Sequence, residues 1–145
     1  MTEPNYKHIL VPVDGSDASQ RVIGHAVYLA RLSGAKLTLL TVTDLNKKLT
    51  GLDRVFTGGY VPAELKEESW KLLMDIIRGI PSDIKAEPRV EIGAPPETIS
   101  TVAENGDYDL VVMGSRGLNN VETIVLGGVS SYVIHHTTKP VLIVR

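Results

Sequence analysis

Two glycine clusters stand where a backbone could close on an anion. One is Gly114-Ser115-Arg116-Gly117; the other, after nine intervening residues, is Gly127-Gly128. Lacking a Cβ, glycine lets the main chain approach a ligand closely, so that successive N–H groups can point at one anion. Gly127-Gly128 also opens a stretch of helical period, Val129, Tyr132, Val133 and His136. The first N–H groups of a helix have no acceptor inside it, and its dipole favours negative charge at that end. Ser115 and Arg116 would add a hydroxyl and a charged donor. These are the parts of a phosphate cradle. The plainer alternative is that the glycines make tight turns and that Gly127-Gly128 only lets a helix pack closely.

A carboxylate occupies a comparable place. The run Ile9-Leu10-Val11-Pro12-Val13 leads directly into Asp14-Gly15-Ser16-Asp17. Asp14 either holds a ribose hydroxyl or a metal carried by phosphates, or it makes an Asx turn that caps the next helix.

Other chemistries find little support. With no cysteine, disulfides, thiolate catalysis and Cys-based metal sites are excluded. Neither the Walker pattern G-x-x-x-x-G-K nor a G-x-G-x-x-G after the first apolar run is present. His135 and His136 are adjacent, point in different directions on a helix, and suit its C-terminal carbonyls better than a shared metal. His8 and His25 have no serine or carboxylate at a telling spacing, and Trp70 reads as a packing residue.

The elements that must position these residues follow from hydrophobic pattern. Ile9 to Val13, Leu37 to Val42, Leu110 to Met113 and Val141 to Val144 are nearly continuous in Val, Leu and Ile. Strands of that kind are covered on both faces, as in a parallel sheet. Ala86 to Ile92 is a weaker fifth strand, which Pro88 assigns to an edge. Helical stripes lie between them. Val22, Ala26, Leu29 and Ala30 follow Ser16 as N-cap and end at Gly34; Leu65, Leu72, Leu73, Ile76 and Ile80 form a second stripe; Pro95 and Pro96 open a third with Ile99, Val102 and Ala103. Alternating strands and helices predict an α/β domain of three layers. Residues 43–61, polar and glycine-containing, break the rhythm and read as a long connection, expected to be the least ordered part and to gate the site.

Length and composition agree. A chain of 145 residues with 43% apolar and 22% charged residues has the size and balance of one globular domain. Its formal charge of −2 argues against nucleic acid or a membrane surface as partner. The polar Met1-Thr2-Glu3-Pro4 start lacks an apolar signal core, and no apolar run approaches the ~20 residues that span a bilayer. A cytoplasmic protein is expected.

Taken together, the motifs resemble the ATP-binding branch of the universal stress proteins. The likeness rests on the G-x-x-G-x9-G pattern from Gly114 to Gly127, the opening Ile9 to Ser16, the Gly93-x-Pro95 turn, the strand Asp109 to Gly114 and the closing Lys139 to Val144. It covers essentially the whole chain, 1–145, as one domain. It implies the adenine nucleotide alpha hydrolase-like fold, five parallel strands in the order 3-2-1-4-5, with the site between strands 1 and 4. Carried over, Pro12, Val13 and Asp14 flank adenine and ribose, and the Val42 backbone meets the adenine edge. Met113, Gly114 and Gly117 line ribose and the first phosphates, with Ser115 and Arg116 between them. Gly127, Gly128, Val129 and Ser130 hold the outer phosphates. The implied ligand is ATP, AMP or ADP, with magnesium reaching Asp14 only through the nucleotide. One position departs from the family: Gly128 stands where Ser or Thr is usual, which removes a hydroxyl worth about 1 kcal/mol.

The resemblance further implies a homodimer through Val141, Leu142, Ile143 and Val144, and a role as a nucleotide-dependent module in the stress response. Two alternatives stay open: a nucleotide-free dimeric scaffold and a slow ATPase. The segment Asp14-Gly15-Ser16-Asp17-Ala18-Ser19 has some likeness to the first loop of ATP pyrophosphatases, yet it lacks their extra Gly and Ser ahead of the aspartate.

Overall fold

The structure, a computed structural model, describes residues 1–44, 63–115 and 127–145. Their strands are β1 (His8–Pro12), β2 (Lys36–Thr43), β3 (Ala86–Ile92), β4 (Leu110–Gly114) and β5 (Val141–Val144). All pair in parallel, in the order β3-β2-β1-β4-β5. The helices are α1 (Asp17–Ser33), α2 (Ala63–Arg78), α3 (Pro95–Asn105) and α4 (Gly128–His136).

The unbroken apolar runs mark the middle of the sheet. Ile9, Leu10 and Val11 in β1 have no exposed surface, and neither do Val111 and Val112 in β4. Helices cover both faces. On one, α1 and α2 close over Ile9, Val11, Leu37, Leu39 and Val112. On the other, α3 and α4 close over Leu10, Leu40, Val111 and Met113. The edge strands differ: β3 has no fully buried residue and β5 has only Val144.

Pro88 sits in an edge strand as expected, and its direction explains why it is tolerated. Leu37 N–H donates to Lys85 O, and Gly93 N–H donates to Thr43 O. The odd-numbered residues of β3 therefore aim their peptide groups at β2, while Ala86, Pro88, Val90 and Ile92 aim theirs outward. The N–H that proline lacks would have met no strand among the described residues.

Local signals act largely as read. Gly34 ends α1 in the left-handed conformation (φ 77°), its N–H donating to Ala30 O at 2.8 Å. Pro95 and Pro96 occupy the first turn of α3. Gly93 just before it has φ 153°, and a Cβ there would lie 2.5 Å from Thr98 Oγ1. Two readings need correction. Ser16 holds the N-cap position, but its side chain makes no capping bond. Trp70 leaves 45% of its surface in solvent, because Leu73 and Ser69 take the buried line of α2. The 43–61 connection lies outside the described residues beyond Asp44.

Candidate functional site

The strand order reverses between β1 and β4, and the two strands part there. They pair at Ile9 with Leu110 and Leu10 with Val111, and no further. Beyond that register Pro12 and Val13 diverge from Met113 and Gly114, leaving a cleft at the C-terminal ends of the strands. Open α/β sheets place ligands in such clefts.

Each wall is fixed by bonds that leave other groups available. Val13 N–H donates to Leu40 O (2.8 Å), and Thr41 Oγ1 donates to Val13 O (3.2 Å). Val42 comes next in the alternation of β2 that faces β1. Its peptide groups find no partner among the described residues. Asp14 Oδ1 accepts from Ser16 N–H (2.9 Å) and Ser19 Oγ (3.1 Å). That is the Asx turn, and it supplies what the Ser16 side chain does not. Both readings of Asp14 survive, because Oδ2 has no bond among the described residues and Asp14 is exposed.

The opposite wall is tied across three elements. Ser115 N–H donates to Val144 O (2.9 Å), and Gly127 N–H donates to Ser115 O (2.8 Å). Ser130 Oγ, almost fully buried, donates to Gly114 O at 2.6 Å. The start of α4 is thereby fastened to the end of β4. The first bond inside α4 runs from Ser131 N–H to Gly127 O. The N–H groups of Gly128, Val129 and Ser130 find no acceptor among the described residues, and the first turn carries no acidic residue. An anion placed there would meet three amides and the positive end of a helix dipole.

These bonds redistribute the expected roles. The Gly127 amide is occupied by Ser115, so Gly127 has no N–H left to offer a ligand. Its φ of −61° is open to any residue. The Ser130 hydroxyl gives its proton to Gly114 O, leaving only its backbone N–H to donate to an anion. A Cβ on Gly128 meets nothing within 4 Å, so the missing hydroxyl of the family pattern leaves open space. Met113 is buried. Arg116 and Gly117 lie outside the described residues. Three acidic or histidine groups that could hold a metal occur nowhere among the described residues.

A second polar cluster, which spacing did not reveal, lies at the opposite end of the sheet. His8 Nε2 is 2.6 Å from Thr38 Oγ1 and 3.5 Å from Glu87 Oε1, and Thr38 Oγ1 donates to Glu87 at 3.0 Å. Tyr108 packs against the His8 ring and accepts from Arg89 at 3.1 Å. Asp109 Oδ2 accepts from both Lys7 N–H and His8 N–H. Burial, then Lys36, holds the His8 imidazole below its ordinary range. Burial pushes the Glu87 carboxyl up, but Thr38, Lys36 and His8 together outweigh it and leave it low. The partners of His8 are 30 and 79 residues away, adjacent only because β1, β2 and β3 are neighbours. His135 and His136 bond back to Ser131 O and Tyr132 O, and His136 stacks on Tyr132 rather than joining the apolar stripe.

The universal stress protein family profile matches residues 5–145. A universal stress protein of Synechocystis is 32% identical, covering 97% of this chain and 98% of that protein. The structure of universal stress protein UspA from Lactobacillus plantarum superposes with a TM-score of 0.78 at 30% identity, over 99% of this chain and all of the other. A universal stress protein in complex with cAMP gives 0.70 at 26%, covering 97% and 98%. One from Archaeoglobus fulgidus in complex with dAMP gives 0.65 at 26%, covering 97% and 99%.

Proposed function

The chain belongs to the universal stress protein family, and from that premise we propose that it binds an adenine nucleotide, ATP foremost, in the cleft between β1 and β4. The observation that carries this reading is the meeting of two features: the pairing of β1 with β4 stops at Leu10 and Val111, and three amides at the start of α4 have no acceptor among the described residues. The related proteins that hold cAMP and dAMP support the ligand class.

In this reading adenine lies against Pro12 and Val13 and bonds the free Val42 peptide edge. Ribose meets Asp14 Oδ2 and the Met113–Gly114 turn, and the phosphates run past Ser115, Arg116 and Gly117. The outer phosphates reach the amides of Gly128, Val129 and Ser130, with Gly127 keeping their path clear. Asp14 is the one described carboxylate offered to magnesium, so the ion arrives with the nucleotide and is held chiefly by its phosphates. We read the protein as a nucleotide-dependent regulatory module of the stress response, with a nucleotide-free scaffold and a slow ATPase as the alternatives.

Residues 1–145 act as one domain in the cytoplasm, without nucleic acid or membrane as partner, and pair with a second copy through β5. Val111 N–H donates to Pro140 O and Ser115 N–H to Val144 O, so Leu142 also faces β4, and Val141 and Ile143 turn their peptide groups outward for that pairing.

Paired calorimetric titrations of ATP and AMP on Gly127→Val test the site. A valine there fills the phosphate path, so ATP is expected to weaken at least about tenfold, equivalent to 1.4 kcal/mol. AMP should weaken less, since its single phosphate stops short of α4. Equal losses would misplace the outer phosphates, and no loss for either would return Gly127 to a turn.

A further inference from the structure

The outer edge of β3 combines three features that the nucleotide reading does not use. Its backbone has no partner among the described residues: Val90 and Ile92 aim both N–H and C=O away from β2, and Pro88 offers C=O alone. On one face an apolar ledge overhangs it. Leu72 lies over Gly15 beside β1. At 100° per residue the opposite flank of α2, the β3 side, therefore carries Trp70 and Met74. They are 45% and 40% exposed, and Ile92 below them is 37% exposed. On the other face Arg89 and Glu91 project beside an open groove of about 360 Å³ between β3 and α3. Arg89 Nε donates to Glu91 Oε1 at 2.9 Å.

We propose that this edge pairs with the same edge of a second copy, antiparallel about a two-fold axis at Val90. The sequence of the strand selects both partner and register. An antiparallel pair centred on Arg89 sets Arg89 against Arg89 and Glu87 against Glu91, like charges directly opposed. One centred on Glu91 opposes two glutamates, and one centred on Pro88 begins from two residues without N–H. Centred on Val90, the two Val90 residues exchange N–H···O bonds. Each Ile92 N–H meets a Pro88 carbonyl, which is the one group that proline can offer. Arg89 then stands opposite Glu91 of the second copy, and Glu91 opposite its Arg89.

The rotation axis lies perpendicular to the sheet, so the two ledges of Trp70 and Met74 arrive on the same face and cover each other. The groove beside α3 leaves room for the second copy's charged side chains. An exposed edge with an apolar flank invites non-specific pairing; the proline and the alternating charges here disfavour the registers centred on Pro88, Arg89 and Glu91, and the isologous match at Val90 joins both opposite-charge pairs. This interface lies on the opposite edge from β5 and is independent of nucleotide binding.

Sedimentation equilibrium on the full chain over a wide concentration range provides the test, with emission from the single tryptophan, Trp70, as a local probe. Wild type should show a concentration-dependent association step accompanied by a blue shift of Trp70. Arg89→Glu and Glu91→Arg each oppose like charges twice, and each should weaken that step at least about tenfold. An equimolar mixture of the two variants places opposite charges face to face and should recover it. Val90→Pro removes a donor that makes no bond among the described residues, and should also weaken the step while the monomer melts as a folded protein. Ile143→Pro, which alters β5, should leave the step unchanged. The proposal is overturned if wild type and the charge variants behave alike. It is equally overturned if the mixture fails to recover association, or if Ile143→Pro removes the Trp70 shift.

Discussion

The two ends of the sheet are built from the same strands and treat polar groups in opposite ways. At the lower end, His8, Thr38, Glu87, Arg89, Tyr108 and Asp109 satisfy one another. At the upper end the Asp14, Ser115, Gly127 and Ser130 bonds brace the walls, while the amides of Gly128, Val129 and Ser130 have no acceptors among the described residues. Charge density alone would have chosen the lower end as the site. What marks the upper end is unmet hydrogen-bonding capacity held in place by a rigid frame, since an orphan donor gains most from an arriving anion.

That contrast can be broken first at the lower end. Asp109→Ala takes one acceptor from two backbone donors, Lys7 and His8. Bonds to a charged acceptor contribute roughly 1.5–3 kcal/mol, so about 2 kcal/mol of stability should be lost in denaturant unfolding. ATP affinity should stay unchanged in the folded protein. A matching loss of affinity would show that the two ends are not separate.

Ser130→Ala cuts one strut of the upper frame and leaves the Gly114 carbonyl without its partner. About 1 kcal/mol of stability should go. ATP should weaken as well, because the start of α4 is no longer fixed to β4. Stability loss with intact affinity would mean the remaining struts suffice.

Gly128→Ser sharpens the comparison by adding capacity. The open space around Gly128 accepts the side chain. A new hydroxyl beside the outer phosphates should tighten ATP several-fold, on the order of 1 kcal/mol, with AMP unaffected and stability within about 0.5 kcal/mol.

The smallest effect is in pH. The folded state holds His8 below its ordinary pKa, by burial first, so the neutral imidazole is the form that favours folding. Its contribution is present above the unfolded histidine value and is lost as pH falls through that value towards the folded one. Wild type should therefore lose slightly more stability between neutral and mildly acidic pH than His8→Gln does. Glu104 acts at lower pH: the Thr138 hydroxyl and amide and the Thr137 hydroxyl hold its carboxyl low, so that stability falls only as the carboxylate is protonated. Chemical denaturation across pH separates the two windows.

How legible all this was depended on whether the cause was local. Continuous apolar runs identified β1, β2 and β4 because a strand buried on both faces has no polar face to show, whereas β5 carries the same kind of run as an edge strand with only Val144 buried. Pro88 betrayed an edge, Gly34 a helix end and Pro95-Pro96 a helix start, since each acts through its own backbone. The glycine clusters pointed to the end of β4 at which the proposed cleft lies. Long-range geometry stayed hidden. Nothing in sequence shows that the Gly127 amide is taken by Ser115, or that Ser130 turns its proton to Gly114. The partners of His8 are neighbours only through strand order, and Trp70 looked like core because its helix spacing does not reveal which flank overhangs an edge.

The Val144–Ser115–Gly127 relay has a mechanical consequence. Val144 O holds the Ser115 amide, and Ser115 O holds the Gly127 amide one residue before α4 begins. A pull along β5 therefore loads, through two hydrogen bonds in series, the peptide that sets the first turn of α4. Tethering a surface or a probe at Arg145 would place any tension on that line, whereas attachment at Met1 would load β1, the other wall of the cleft, and spare the relay.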